Sequence, residues 1–192
     1  MIINSARKEI LVKLVYYGPP YSGKTTNLEQ LFSSIPAERR SDLTSMKNSE
    51  DRTLFFDFMQ VELGQVGGYT PRFNLYTVPG QVIYSATRKI VLRGADAVVF
   101  VVDSNPSKFK ENLWSWKQLH EQLIENQINP KDFPIIVQMN KRDLPNAAPI
   151  PTLKTILNLN GHSCVEAQAM RGIGVRETLK VAINTVMNNK KH

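Results

Sequence analysis

The feature that most constrains this chain is an eight-residue run, Gly18-Pro19-Pro20-Tyr21-Ser22-Gly23-Lys24-Thr25. It fits G-x-x-x-x-G-K-[ST]. It follows an apolar, β-prone stretch from Ile10 to Tyr17 and opens a stretch from Thr25 to Ser34 that carries Leu28, Leu31 and Phe32 on one helical side. A strand, a glycine turn and a helix in that order build an anion cradle, because the N–H groups of the loop and of the helix start point inward at phosphate oxygens. Gly18 starts the turn and Gly23 lets the backbone approach closely. Lys24 reaches the β- and γ-phosphates, and Thr25 offers its hydroxyl to Mg²⁺. Pro19 and Pro20 have no N–H, so the cradle is expected to rest on the amides of Tyr21, Ser22, Gly23, Lys24 and Thr25, with Thr26 beside them.

Strand-like and helix-like segments alternate after this motif. Leu54 to Leu63 and Arg72 to Val78 read as an antiparallel hairpin around Gly64-Gln65-Val66-Gly67-Gly68. Ala97 to Val102 is an unbroken apolar run, as expected of a strand buried on both faces, and Ile135 to Met139 is a second, interrupted only by Gln138. A helix is predicted from about Lys108 to Gln127, with Leu113, Trp116, Leu119, Leu123 and Ile124 on one face and Trp114 opposite. Trp116 therefore reads as core and Trp114 as a singly exposed aromatic. A short helix near Pro151 to Leu159 and a weak strand at Ser163 to Ala167 follow. The last helix is the clearest, with Val175, Leu179, Ala182, Ile183 and Val186 on one stripe. Arg39 to Arg52 is polar and aperiodic and reads as a loop. The pattern predicts an α/β fold with a mostly parallel six-stranded sheet, one antiparallel strand and helices on both faces.

Composition narrows the setting. A chain of 192 residues with 42% hydrophobic and 21% charged residues reads as one globular domain over residues 1–192, with a flexible basic tail at about 188–192. The single cysteine, Cys164, cannot form an internal disulfide, which points to a reducing, cytoplasmic compartment. No stretch approaches the roughly 18 apolar residues of a membrane span, and no signal peptide or lipidation box is visible, so integral membrane association is not expected. The net charge of +7 is spread along the chain without interleaved aromatics, so nucleic-acid binding is not expected either. His120, His162 and His192 lack metal-ligand spacing, and Cys164 reads as core filler.

A phosphate cradle does not choose a base. Asn140-Lys141-Arg142-Asp143 does, directly after the strand Ile135 to Met139, at the carboxyl edge where open α/β sheets bind ligands. The Asp143 carboxylate matches the two donors of the guanine edge, N1–H and N2–H₂. Adenine lacks that pair and would leave the carboxylate unpaired, a penalty that gives strong discrimination. Lys141 can lay its stem along the ring and Asn140 can brace the loop.

These two motifs, in this order, resemble the small Ras-like GTPases over nearly the whole chain, which implies the small-GTPase P-loop fold. The resemblance implies that the loop Arg39 to Arg52 is the first switch, with Thr53 sensing the γ-phosphate and Mg²⁺ alongside Thr25. It implies that Thr77-Val78-Pro79-Gly80-Gln81 is the second switch, where Gly80 donates its N–H to the γ-phosphate and Gln81 orients the attacking water. Glu166-Ala167-Gln168 is similar to the last guanine motif, with the N–H of Ala167 facing the guanine oxygen and Gln168 beside it. The family's usual aspartate in the second switch is Thr77 here, so the expected carboxylate near Mg²⁺ is missing. Thr-Val-Pro-Gly-Gln, with Arg52-Thr53-Leu54-Phe55-Phe56-Asp57-Phe58 and Asn140-Lys141-Arg142-Asp143-Leu144-Pro145-Asn146, is similar to the MglA-type gliding-motility and cell-polarity GTPases of bacteria.

That narrower resemblance implies a monomeric switch whose GTP form gathers at a cell pole and engages polarity and motility effectors. It implies an activator that is a roadblock-fold homodimer of the MglB type and inserts no arginine of its own. Arg52 then becomes the arginine this chain supplies to the transferring phosphoryl group; read by itself, Arg52 is a solvated loop residue or a partner of Asp51 or Glu50. The resemblance also implies that the strand after Arg52 moves between nucleotide states. Leu54 to Phe58 is apolar on both faces near its start, so a slide in register is the expected way to carry Arg52 and Thr53 to the γ-phosphate. Two other readings stand beside the hydrolysing switch. A GTP-gated adaptor with little turnover is favoured by Thr77, and a P-loop kinase or ATPase is disfavoured by Asn140 to Asp143.

Overall fold

Every layer is organised around the strand that feeds the phosphate loop. The computed structural model describes residues 1–47, 53–80 and 84–189, with side chains described for residues 1–45, 56–80 and 84–188. Strand β2 (Glu9–Tyr17) lies between β5 (Thr70–Thr77) and β6 (Ala97–Asp103), parallel to both. Beyond β6 come β7 (Ile135–Asn140) and β8 (Ser163–Glu166), each parallel to its neighbour. Beyond β5 comes β4 (Thr53–Glu62), antiparallel, with Phe58 opposite Tyr76. This is the predicted hairpin and the predicted mostly parallel α/β sheet.

Two strands exceed the predicted six, and antiparallel pairing is correspondingly wider. β1 (Ile2–Asn4) pairs antiparallel with Glu9–Leu11 of β2, on the side that β6 occupies from Leu14 onward. β3 (Thr44–Lys47) pairs antiparallel with β4. Residues 39–52 are therefore not all loop. The segment Thr-Ser-Met-Lys carries no apolar alternation because it lies at the sheet's edge, where tertiary pairing rather than periodicity makes the strand. Its register shifts between Ser45 and Lys47, the signature of a bulge.

Five helices cover the sheet. α1 (Lys24–Ser34) and α5 (Val175–Asn189) pack on one face, against Val12, Leu14 and Tyr16 of β2. α2 (Ser85–Leu92), α3 (Phe109–Glu125) and α4 (Ile150–Leu157) pack on the other, against Val15 and Tyr17. The odd and even side chains of β2 thus enter separate cores, the period-two geometry of a strand. β6 is buried at all seven positions, which is why Ala97 to Val102 is continuous hydrophobe, with the buried Asp103 closing the strand. Trp116 is core as expected, whereas Leu113 and Ile124 are exposed, so the apolar face of α3 is narrower than its sequence suggests. Trp114 is not a lone exposed ring. It is half-buried, with the guanidinium of the buried Arg88 on α2 lying 5.3 Å from its ring centre. Among the described residues no helix is long and apolar enough to cross a membrane.

Candidate functional site

The phosphate loop joins the C-terminal end of β2 to α1, so the first free N–H groups of α1 face out of the carboxyl edge of the sheet. No side chain caps this helix, and its first turn holds no acidic residue. An uncapped, acid-free helix start of this kind suits an external anion. Gly23 occupies the cap position at φ 102°, a left-handed geometry that favours glycine, and a Cβ there would collide with the side-chain amide of Asn140. The Lys24 ammonium folds back onto its own loop, donating to the carbonyls of Pro19 at 2.7 Å and Gly18 at 3.0 Å. Burial pulls its pKa down to about 7, against the opposing pull of Asp57, while Arg88 and Lys141 lower it further. A buried cation in this state gains from any phosphate that arrives.

The base motif is clasped to the phosphate loop rather than merely near it. Asn140 closes β7, donates from Nδ2 to the Ser22 carbonyl at 2.8 Å and accepts the Ala169 N–H on Oδ1 at 2.9 Å. Lys141 takes a positive φ of 62° and reaches Asp103 at 2.6 Å, at the end of β6. The cleft so formed has a volume of about 360 Å³ and is lined by Tyr21, Gly23, Thr26, Asn140, Lys141, Asp143, Leu144, Ala169 and Met170. That is enough for a nucleobase and its ribose.

One sequence expectation fails here. The Ala167 N–H does not face this cleft. It donates to the Met139 carbonyl at 2.8 Å, and the Gln168 N–H donates to Ile173 at 3.0 Å. The ladder between β7 and β8 continues into Ala167, the last residue of the predicted strand, and consumes its donor. The residues that reach the cleft are Ala169 and Met170, two positions on. Glu166-Ala167-Gln168-Ala169 holds two alanines, and sequence alone had no means of choosing between them.

A different arrangement surrounds the Thr25 hydroxyl. It donates to Asp57 Oδ2 at 2.5 Å, and Thr77 Oγ1 donates to the same oxygen at 2.7 Å while accepting the Asp57 N–H at 2.8 Å. Ser45 of β3 donates to the other carboxylate oxygen. Asp57 is fully buried. The carboxylate missing at Thr77 is thus supplied by the neighbouring strand of the hairpin. The signal was present as a lone acid inside Leu54-Phe55-Phe56-Asp57-Phe58, but only strand pairing shows where it points. Gly80 lies directly against the phosphate loop. A Cβ there would stand 2.5 Å from the Pro20 nitrogen, closer than real Cβ contacts come. Thr53 begins β4 with its backbone opposite Lys47. Arg52 and Gln81 lie outside the described residues, as do the last three residues of the basic tail.

The site geometry agrees with comparison to known proteins. The sequence profile of the ADP-ribosylation factor family matches residues 2–189. The chain is 43% identical to the mutual gliding-motility protein MglA of Myxococcus xanthus, over 98% of this chain and 97% of that protein. It is 29% identical to the Ras-related protein Rab-7a of Dictyostelium discoideum, over 74% of this chain and 64% of that protein. It is 27% identical to the Ypt/Rab-type GTPase ypt7 of Pyricularia oryzae, over 92% and 82% respectively. A family match that spans nearly the whole chain, on a sheet whose phosphate loop and base motif share one cleft, makes this chain a member of the ADP-ribosylation factor family and an MglA-like small GTPase.

Proposed function

We propose that this GTPase is a nucleotide-dependent switch for bacterial motility and cell polarity, engaging its effectors in the GTP form and releasing them after hydrolysis to GDP. The observation that carries the reading is the asymmetry of the site. Asn140 ties the phosphate loop to the base motif beside an open cleft, whereas the Thr25 hydroxyl and Gly80 are engaged by the protein itself. A switch needs such a division, because GDP and GTP differ only at the γ-phosphate and its metal. The 43% identity to a gliding-motility protein supports the biological role.

In this reading Gly18, Tyr21, Ser22, Gly23, Lys24, Thr25 and Thr26 hold the phosphates. Asn140, Lys141 and Asp143 hold the guanine, and Ala169 takes the wall position first assigned to Ala167 and Gln168. The oxygen donors around Thr25 suit Mg²⁺, a hard cation that takes few protein ligands. Thr25 and Thr53 would hold it with Asp57 nearby, and it would neutralise charge between the β- and γ-phosphates. Gly80 would meet the γ-phosphate, Gln81 would orient water, and Arg52 would stabilise the transferring group. A slide of β4 along β5 would bring Arg52 and Thr53 into place, which requires breaking the Asp57 contacts. Structures with GDP and with a GTP analogue that share one β4–β5 register would sink that part. The protein would act in the cytoplasm, be recruited to a pole when GTP-bound, and answer to a roadblock-type homodimeric activator.

Single-turnover GTP hydrolysis tests the reading, with and without such an activator, for wild type and Arg52→Ala. The expected result is slow intrinsic turnover, strong stimulation of wild type, and a loss of roughly 10³-fold or more in the stimulated variant. Full stimulation of Arg52→Ala would move the catalytic charge elsewhere. GTP binding without hydrolysis under any condition would leave a GTP-gated adaptor. The Asp57 carboxylate beside Thr77 weighs against that alternative, because it restores the acid whose absence favoured it.

A further inference from the structure

We propose that Gln138 and Asn27 are positioning residues that lock the phosphate loop and the guanine motif into one unit, and so set how long the nucleotide stays bound; this rests on the GTPase reading above. Gln138 is the only polar side chain between Ile135 and Met139 of β7, and it is fully buried. Asn27, one turn into α1, is fully buried too. The two amides exchange a pair of hydrogen bonds. Asn27 Nδ2 donates to Gln138 Oε1 at 2.8 Å, and Gln138 Nε2 donates to Asn27 Oδ1 at 2.8 Å.

The remaining donor of each amide reaches part of the nucleotide site. Asn27 Nδ2 also donates to the carbonyl of Gly23 at 2.9 Å, at the turn that starts the phosphate-binding helix. Gln138 Nε2 also donates to Thr178 Oγ1 at 2.8 Å, and that hydroxyl donates to the Gly174 carbonyl at 2.7 Å, just before α5. Gly174 ends the segment that carries Ala169 and Met170 to the base cleft. Both donors of both amides are thereby used, so the network is saturated.

Stability alone does not call for such a network. Replacing both members of a buried hydrogen-bonded pair by apolar groups of the same shape is often close to neutral, whereas removing one member is costly. An amide pair does something an apolar contact cannot: it fixes orientation, because sliding or rotating α1 against β7 breaks both bonds together. Gln138 precedes Asn140 by two residues on the same strand, and Asn140 clasps the Ser22 carbonyl at the strand's end. β7 therefore holds the phosphate loop and its helix at two levels, the loop at the mouth of the cleft by Asn140 and α1 beneath it by Gln138 with Asn27. A guanine nucleotide spans both parts, so its retention depends on their mutual register as in any two-point attachment.

The test measures release of a fluorescent GDP and thermal unfolding side by side, in wild type, Asn27→Leu, Gln138→Met and the double variant. Each single variant is expected to lose thermal stability and to release GDP at least tenfold faster. The double variant is expected to recover most of the melting temperature while still releasing GDP about tenfold faster. Recovery of both properties would overturn the proposal and leave the pair as packing only. Should the double variant fold poorly, Thr178→Val, a change of near-equal shape at the end of the network, decides the matter. The change leaves the buried Gln138 donor without its acceptor, so a lowered melting temperature is expected; release about threefold faster supports the tie, and wild-type release despite the lowered melting temperature overturns it. A wild-type protein that holds no GDP would instead overturn the nucleotide reading itself.

Discussion

The two halves of the nucleotide site are built to different rules. On the side of α1 and β7 the amides and the lysine that frame the cleft are paired within the scaffold: Asn140 with Ser22 and Ala169, Lys141 with Asp103, Asn27 with Gln138. These contacts hold an open cleft in place. On the side of β3, β4 and the second switch, the pairing fills the site. Asp57 takes the hydroxyl of Thr25, and Gly80 rests on Pro19 and Pro20. The first half keeps an open cleft of about 360 Å³ beside the phosphate loop, although the Lys24 ammonium there is turned onto its own loop. In the second, under the proposed function, the contacts of Thr25 and Gly80 would give way to a γ-phosphate and its metal. Under the proposed function, a change confined to this side of the sheet would give two states without rebuilding the core.

The largest expected effect lies in the fixed half. Lys24→Ala should weaken GDP by two orders of magnitude or more, about 3 kcal/mol, the range for a hydrogen bond to a charged group in a buried site. Titration calorimetry measures it, and near-normal affinity would end the claim that this half carries binding. Next comes the movable half. Asp57→Ala should slow single-turnover hydrolysis by about tenfold or more, for the loss of one charge-assisted contact of roughly 1.5–3 kcal/mol, while GDP affinity stays within about threefold. Equal losses of GDP affinity and hydrolysis would erase the distinction between the halves.

Gly80→Ala probes the contact between them. The new methyl meets the backbone of Pro20, and overpacking of this kind costs about 1–3 kcal/mol. The expected result is a lowered melting temperature for the nucleotide-free protein and a reduced preference between GDP and GTP, read by competition binding. An unchanged preference would show that the contact at Gly80 takes no part in telling the two nucleotides apart.

The smallest effect belongs to neither half and serves as a control. His162, half-buried against Trp116, has a pKa lowered by burial, with the Ile135 carbonyl pulling the other way. The unfolded chain therefore takes up this proton first as the pH falls. The stability His162 contributes is complete above the unfolded value near pH 6.5 and is lost as the pH drops toward the lower folded value, a small effect because solvent reaches the half-exposed ring. Urea unfolding of wild type and His162→Gln between pH 7 and 5 should show a shallower slope for the variant. An identical slope would place the acid-sensitive group elsewhere, the nucleotide site included.

Much of the fixed half was legible in the sequence, and little of the movable half was. Gly18 to Thr25 and Asn140 to Asp143 are contiguous motifs whose chemistry is set by spacing within a few residues, and the structure brings them together. The buried strands announced themselves because a strand covered on both faces must be apolar throughout. β3 did not, because an edge strand of Thr, Ser, Met and Lys satisfies only one neighbour and needs no periodicity. α2 has eight residues and two cations, one of them the buried Arg88, and was likewise missed.

By itself, then, the sequence determined the fold class, the phosphate loop and the residues of the guanine motif, because each depends on local periodicity or on residues close in the chain. Tertiary structure decided the rest. It decided that Asp57 supplies the carboxylate Thr77 lacks, across 20 residues of chain. It decided that Ala169 rather than Ala167 reaches the cleft, because the Ala167 donor is spent on β7. It decided that Gln138, an interruption in an apolar run, meets Asn27 from 111 residues away. Partners so distant are fixed by strand register and helix packing, which no local spacing encodes.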